Sequence, residues 1–273
     1  MGAGIVLELG AWAEAAYRPG GPRRLRVRST TAGPLPISRD VARRLAAGRR
    51  GELTVRLHHE LPVGQGFGMS AAGALATALA VAKIFRIPSR RAIEVAHLSD
   101  LFGLGGLGGV ASILGGGWER RERPGIPPFG WVVHRPFRPP IWLIPLGPPL
   151  PSPRLLGNRR FLDRVRDAAE AGLGRLDRSP TTATFLEESE RFADRLGLAP
   201  ATLGSMVRAL RQDGARASQA MFGQCVWAVA PTPAVRARLV AKLVRLRLRG
   251  VEVRAAHSGA RSRIGRLPAG KGF

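Results

Sequence analysis

The stretch from Leu61 to Phe85 reads LPVGQGFGMSAAGALATALAVAKIF, and it decides the fold prediction. Its first part predicts a strand that ends at Pro62 and a glycine-rich loop from Gly64 to Gly68. Its second part predicts a helix of small residues that begins near Met69 or Ser70. Glycines let backbone amides approach a ligand closely, and a helix N-terminus presents free N–H groups. The stretch therefore predicts an anion site of the kind that holds phosphate.

Two common phosphate-binding patterns do not fit this loop. No Gly-Lys-Ser/Thr follows the glycines, so it is not a Walker A sequence. The spacing of Gly64, Gly66 and Gly68 differs from the dinucleotide fingerprint, and no early βαβ unit precedes it. A glycine turn that merely feeds a tightly packed helix is the alternative that these residues leave open.

Strands and helices alternate on both sides of this stretch. Before it, the sequence predicts strand segments at 5–9 and 12–15, and period-two patterns predict strands at 25–29 and 52–61. A helix is predicted from Ser38 to Ala47, capped by Ser38. After it, Ser89 caps a helix to Leu101, a flexible glycine-rich stretch follows, and strands are predicted at 130–134 and 141–145. The second half is mainly helical, with predicted helices at 158–176, 182–196, 200–212 and 232–249 and strands at 225–230 and 251–254. The Pro-rich stretch between these halves predicts two domains, 1–150 and 151–273.

The charge balance of 43 Lys+Arg against 19 Asp+Glu gives a net charge of +24, which first suggests a polyanionic partner. Only Lys83, Lys242 and Lys271 are lysines, so arginine supplies nearly all of the positive charge. The cations are scattered along the chain, and aromatic residues make up only 6%. This pattern is typical of codon bias in a GC-rich genome and argues against a dedicated nucleic-acid-binding protein.

Cysteine content and hydropathy exclude several other classes. Cys225 is the single cysteine, so neither an internal disulfide nor a thiolate zinc cluster is expected. The longest apolar run, Ala71 to Ala82, is too short for a membrane span and ends at Lys83. The first residues lack a basic region and include Glu8, unlike a signal peptide. We expect a cytoplasmic protein without a membrane partner.

The string from Pro62 to Ala72, PVGQGFGMSAA, resembles the phosphate-binding motif of the GHMP kinases, whose usual form is Pro-x-x-x-Gly-x-Gly-x-Ser-Ala/Ser-Ala. Its wording, GQGFGMSAAGALA, is similar to that of the archaeal pantoate kinases within this superfamily. Further matches follow in the same order along nearly the whole chain: Ala96-His97, 106–108, 115–117, 123–128 and 217–223.

The resemblance implies an α+β, two-domain GHMP-kinase fold, with a ribosomal-S5-domain-2-like N-terminal domain and a ferredoxin-like C-terminal domain. It implies ATP-dependent phosphorylation of pantoate to 4-phosphopantoate in archaeal coenzyme A biosynthesis, and a homodimer, which is usual in the family. Ser70 and Asp100 are the implied catalytic and Mg²⁺-binding residues, Asp100 standing where the family usually has Glu. The implied ATP-binding residues are Gly64, Gln65, Gly66, Phe67, Gly68, Met69, Ser70, Ala71 and Ala72.

One departure concerns catalysis. The family pattern Gly-Leu-Gly-Asp-Val carries an acid that orients or deprotonates the attacking hydroxyl, whereas this chain has Gly109 at that place. Loss of a general base commonly lowers a rate by about 10²–10⁴-fold. Glu119 and Glu122 are the nearest downstream carboxylates, and the sequence favours neither as a replacement.

A second departure lies at the start, where the family has a Pro-Gly-His segment ahead of the residues that match Gly2 to Gly4. Either the natural start lies upstream of Met1, which we favour, or the protein lacks this element. Three functions stay open: an active pantoate kinase, which we favour; a catalytically weakened protein that binds nucleotide or pantoate; and a nucleic-acid-binding protein on a related scaffold.

Overall fold

The structure, a computed structural model, describes residues 1–106, 108–148 and 155–261. Strands β1 to β10 span Gly2–Ile5, Ala11–Pro19, Arg24–Ser29, Gly51–His59, Trp118–Arg123, Trp131–Arg135, Ile141–Pro145, Arg216–Gln219, Cys225–Val229 and Val251–Val253. Helices α1 to α8 span Pro36–Leu45, Met69–Phe85, Ser89–Phe102, Gly109–Ser112, Arg159–Arg178, Thr182–Leu196, Ala201–Gln212 and Pro233–Arg245. This mixture confirms the α+β class. None of the described helices is both long enough and apolar enough to cross a membrane.

The first sheet has β4 at its centre, antiparallel to β2 and parallel to β3. Because side chains alternate along a strand, Leu53, Val55 and Leu57 of β4 point to one face and are fully buried there. Helices α1, α2 and α3 supply the rest of this core. Each buried aliphatic side chain contributes about 1.5–3 kcal/mol, so this layer fixes the position of α2.

Small residues let α2 pack closely against its neighbours. Ala71, Ala74 and Ala78 are all buried in the first core. A Cβ placed on Gly73 would lie 2.9 Å from Nε2 of His59 on β4, so glycine is required for this approach. The close packing holds the N-terminus of α2, and the loop before it, in a fixed place.

The second half is organised around a four-stranded antiparallel sheet of order β10-β7-β9-β8. Helices α7 and α8 cover it through a buried cluster that includes Leu210 and Leu239. Strand β7 joins this sheet although it precedes residue 150 in the chain. The division at 150 stays a prediction, since residues 149–154 lie outside the described ones. A third sheet, of order β1-β5-β6, carries residues of the candidate site.

Two predicted helix caps are wrong. Helix α1 begins at Pro36 after the cap residue Leu35, and Ser38 is buried within its first turn. The fixed φ of proline suits the first position of a helix, which moves the start two residues upstream of the prediction. Similarly, Ser89 is the first residue of α3, and Pro88 occupies the cap position.

Three further differences concern the ends and the number of elements. Helix α8 ends at Arg245 rather than 249, because Arg247 adopts a positive φ of 53° that a helix cannot continue through. The glycine-rich stretch after α3 contains the short helix α4, and the sequence analysis missed β5 and β8. Strand β5 was missed because its residues, WERRER, are mostly charged.

Candidate active site

The glycine loop has the backbone conformation that the sequence predicts. Gly64, Gly66 and Gly68 have φ values of 83°, 85° and 67°, a region that other residues rarely adopt. Gly68 is the cap residue of α2, and it has no side chain that could accept a hydrogen bond from the first amides of this helix. No acidic residue lies in the first turn of α2. The amides therefore point to a place where an anion would be stabilised.

The loop is supported from behind by the second half of the chain. A Cβ on Gly66 would overlap the carbonyl oxygen of Ala220, and one on Gly223 would overlap the backbone of Gln65. The side chain of Gln65 is buried and its Nε2 donates a 2.7 Å hydrogen bond to the carbonyl oxygen of Gly147. The side chain of Gln65 therefore anchors the loop. The contact of Gln65 with ATP stays a prediction.

Ser70 and Asp100 lie together, as the resemblance implied. Ser70 is in the first turn of α2 and its Oγ donates a 3.0 Å hydrogen bond to Oδ1 of Asp100 on α3. Gly105 lies directly over this pair, because a Cβ on it would overlap both Asp100 Oδ1 and Ser70 Oγ. Only a residue without a side chain fits here, which leaves the hydroxyl and the carboxylate next to bare backbone.

Burial changes the acidity of Asp100. The side chain is 2% exposed. Burial raises the pKa of Asp100 to about 6, although the hydrogen bond from Ser70 acts in the opposite direction. The carboxylate therefore gains its charge close to neutral pH, and a cation beside it would favour the charged form.

The oxygen donors of this pair suit Mg²⁺, which binds one or two carboxylates and completes its shell with water and phosphate oxygens. Within the described part of the chain, no group of three or more His, Cys, Asp or Glu side chains could hold a metal alone. The pair supplies two oxygen ligands, so water and the phosphate oxygens of a nucleotide would complete the shell of a bound Mg²⁺. The assignment of Ser70 and Asp100 as its ligands stays a prediction.

Gly109 is the first residue of α4, and it faces α2. A Cβ on Gly109 would stand 2.7 Å from the Cβ of Ala71, closer than two such carbons approach in proteins. The two helices are in contact at the place where the resembled pattern has an acid. No carboxylate is offered from this position.

The buried carboxylate of Glu119 on β5 contacts α4 one helical turn after Gly109. Ser112, at the end of α4, donates a 3.0 Å hydrogen bond from its Oγ to Oε1 of Glu119 on β5. Arg121 Nε lies 3.4 Å from Oε2 of Glu119. Glu119 is 1% exposed, and its burial raises its pKa, while Arg121, Ser112, His134 and Arg120 lower it. A carboxylate and a guanidinium are thus placed together in the interior.

The loop and this buried pair line the same cavity, of about 1780 Å³. Gly64, Gly66, Phe67, Gly68, Met69, Ala71 and Ala72 of the predicted ATP-binding set form part of its wall. Ser70, Asp100 and Gln65 are not wall residues, and the first two lie behind Gly105. Gly109, Ser112, Glu119 and Arg121 complete one side of it.

The sequence analysis missed Arg121 and did not favour Glu119. The available signal was the strand β5 itself, since the alternation of side chains along a strand places Glu119 and Arg121 on one face. Their strand was not predicted, so this relation could not be used. The neighbouring Arg120 points the other way and pairs with Asp177 on α5 at 2.8 Å.

Comparisons with known proteins show which proteins this chain resembles. Residues 37–117 match the family described as the GHMP kinases N terminal domain. A pantoate kinase of Thermococcus kodakarensis is 33% identical over 166 residues, 59% of this chain and 53% of that protein. A pantoate kinase of Methanospirillum hungatei is 28% identical over 171 residues, 62% of this chain and 56% of that protein. The matches therefore span a little over half of the length of these curated relatives.

Solved structures extend the likeness along the chain. One described as a phosphotransferase related to the CoA biosynthesis pathway has a TM-score of 0.81 at 27% identity, covering 94% of this chain and 88% of that one. Mevalonate kinase of L. major has a TM-score of 0.64 at 14% identity, covering 93% and 89%, and shows the fold alone. The protein therefore has the fold of the GHMP kinases, and residues 37–117 belong to their N-terminal domain family. Within that fold it is similar to the pantoate kinases named above, which confirms the resemblance seen in the sequence.

Proposed function

We propose that this protein transfers the γ-phosphate of ATP to the terminal hydroxyl of pantoate. The observation that carries the proposal is the Ser70–Asp100 pair, which lies at the N-terminus of α2, beside the glycine loop. Phosphoryl transfer depends mainly on positioning and on charge neutralisation, and this pair would hold the metal ion that neutralises the phosphates. The names of the relatives support pantoate as the acceptor.

The loop amides and the N-terminus of α2 would hold the phosphates of ATP. The three left-handed glycines give the backbone the curvature that an anion cradle needs. Ser70 and Asp100 would hold Mg²⁺ together with phosphate oxygens, next to Gly105. When bound, Mg²⁺ neutralises the charge of the phosphates.

The carboxylate of pantoate needs a cation on the cavity wall. Arg121 lies there beside α4, since a Cβ on Gly108 would come within 3.3 Å of its Nη1. A guanidinium can bind a carboxylate through two parallel hydrogen bonds. We therefore assign the recognition of the acceptor carboxylate to Arg121.

The glycine at position 109 supports a second candidate function. In this alternative the protein binds nucleotide or pantoate but catalyses the transfer slowly. The position offers no carboxylate, and its contact with Ala71 leaves no room for one. The nucleic-acid-binding alternative finds less support, because arginines such as Arg175 and Arg211 are engaged in ion pairs with Glu188 and Asp194.

ADP release from Mg-ATP, measured with and without pantoate, tests the proposal. Pantoate-dependent release, absent with homoserine or mevalonate as acceptor, is the expected result. A melting temperature raised by Mg-ATP without turnover would favour the slow binder; ligand at 100 times its Kd stabilises a protein by about 2.7 kcal/mol. If neither occurs and tRNA forms a salt-sensitive complex, the nucleic-acid reading replaces both.

A further inference from the structure

The face of α4 that carries Gly109 also carries Ser112. Residues three apart on a helix lie on one face, about 5–6 Å apart, so Ser112 stands one turn from Gly109 on the same side. The hydroxyl of Ser112 donates to Oε1 of Glu119. The carboxylate of Glu119 is thereby attached to the face from which the missing acid would project.

Glu119 has one oxygen that is still able to accept a proton. Within the described residues, Oε2 accepts no hydrogen bond, and Arg121 Nε lies 3.4 Å from it. Buried carboxylate oxygens are ordinarily satisfied, so an unsatisfied one beside a cavity points to a ligand group as its partner. A hydroxyl of a bound acceptor is such a group.

Residues without side chains keep this place open. Gly4 of β1 lies against Oε1, where a Cβ would come within 2.8 Å, and Gly108 lies against the guanidinium of Arg121. Any larger residue at either place would push the carboxylate or the guanidinium aside. The charged groups around Glu119 are Arg120 and Arg121 on β5 and His134 on β6. Burial outweighs these cations, so the pKa of Glu119 lies above its ordinary value. A raised pKa suits a carboxylate that takes up a proton during the reaction.

We infer that Glu119 replaces the missing acid of α4 and accepts the proton of the attacking hydroxyl. This inference rests on the proposed function and names the residue that would make it work without an acid at position 109. Because Arg121 Nε lies 3.4 Å from Glu119 Oε2, an acceptor bound to Arg121 would also lie beside Glu119. Ser112 is a positioning residue, since it holds Oε1 and leaves Oε2 for the proton.

The acceptor oxygen forms a bond to the γ-phosphorus as its proton passes to Oε2 of Glu119. The bond between the γ-phosphorus and the bridging oxygen breaks, and its electron pair leaves with ADP. The protonated Glu119 then releases its proton to water, which restores the carboxylate for the next turnover.

The test compares Glu119→Gln with Glu122→Gln, which removes an exposed carboxylate of the same strand. We expect Glu119→Gln to lower kcat by about 10²–10⁴-fold, with KM for pantoate and for ATP changed less than threefold. The fall of kcat on the acid side of its pH profile should keep only the part that Asp100 contributes in Glu119→Gln, and should be unchanged in Glu122→Gln. A melting curve with and without Mg-ATP shows whether the variant is folded.

Two further variants keep the test decisive. If Glu119→Gln fails to fold, Glu119→Asp replaces it in the test. This variant keeps a carboxylate but withdraws it by one methylene, so we expect a folded protein with a lower kcat. Adding Gly109→Asp and Ala71→Gly to Glu119→Gln should restore at least tenfold of the lost kcat, because the acid returns to α4.

The outcomes separate the two proposals. An active wild type whose Glu119→Gln variant keeps its kcat and pH profile overturns the role of Glu119 and leaves the proposed function standing. A wild type that releases no ADP with pantoate overturns both, because Glu119 then fails to replace the acid.

Discussion

The Cα of Gly109 on α4 is so close to Ala71 on α2 that a Cβ on the glycine would stand 2.7 Å from the alanine Cβ. Gly109→Asp alone should therefore destabilise the protein by about 1–3 kcal/mol through overpacking. Combining it with Ala71→Gly should remove most of this loss. Thermal unfolding of both variants, with Ala71→Gly alone as the reference, measures the effect. If the Gly109→Asp variant had the same melting temperature as the wild type, α4 would be able to move away from α2 at little cost in free energy.

Ser70→Ala should lower Mg-ATP-dependent turnover at least tenfold. The change removes a hydroxyl next to the phosphate site and the hydrogen bond to Asp100, whose pKa then rises further. Thr77→Val is the matched control, since it removes a buried hydroxyl of the same helix that has no hydrogen-bond partner among the described residues. Steady-state rates at saturating pantoate measure both variants. Equal rates for Ser70→Ala and wild type would contradict the assignment of the loop.

Gly66→Ala and Gly68→Ala should differ, although both glycines have positive φ. A Cβ on Gly66 would overlap the carbonyl oxygen of Ala220, whereas nothing lies within 4 Å of one on Gly68. Gly68→Ala should cost only the strain of a left-handed alanine, about 1–2 kcal/mol. Gly66→Ala should in addition displace the loop and abolish ATP binding. Calorimetric titration with Mg-ATP distinguishes them, and equal affinities would show that the contact with Ala220 is unimportant.

Asp100→Asn should stabilise the protein without ligands at pH 8 and have little effect at pH 4. The folded pKa of Asp100, about 6, lies above its ordinary value of 3.8, so the fold prefers the protonated form. Its contribution is fully present below pH 3.8 and declines as the pH rises through 6. The loss reaches about 3 kcal/mol at most, because each pH unit between the two values carries about 1.4 kcal/mol. Urea unfolding at several pH values measures the difference.

Asp40→Asn is the control, because we expect it to change the free energy of unfolding in the opposite direction. Burial acts to raise the pKa of Asp40, but hydrogen bonds from Ser99, Arg43 and Arg44 outweigh it and lower the pKa. Its carboxylate therefore stabilises the fold at neutral pH, and the variant should be less stable there. If both variants shifted stability in the same direction, the burial of Asp100 would not explain its pKa.

The sequence predicted most of the first core and the loop, because their signals are local. Three local patterns determine the conformation of the segments that carry them. They are the alternation of Leu53, Val55 and Leu57, the glycines at 64, 66 and 68, and the small residues of α2. The pairing of Ser70 with Asp100 was reached through the family resemblance rather than through spacing. The structure adds that Gly105 covers the pair, a relation that no local pattern contains.

The other side of the site depends on contacts between distant residues. Glu119 and Arg120 are charged yet buried, and hydropathy assigns such residues to the surface. Their burial is tolerated because Ser112, Arg121 and Asp177 compensate them, and these partners are known only once β5 is placed between β1 and β6. For this reason, sequence analysis did not choose between Glu119 and Glu122.

The contacts of the glycine loop with Gly147 and with residues 220–223 have a consequence for the protein's evolution and engineering. The nucleotide site cannot be exchanged as an independent module, since its backbone is shaped by residues that come about 80 and about 155 positions later in the chain. If a chimera takes its second half from another protein, that half must contain a turn with the same backbone conformation as residues 220–223 opposite Gln65. Nucleotide affinity in such chimeras would then report how faithfully the two halves have been matched.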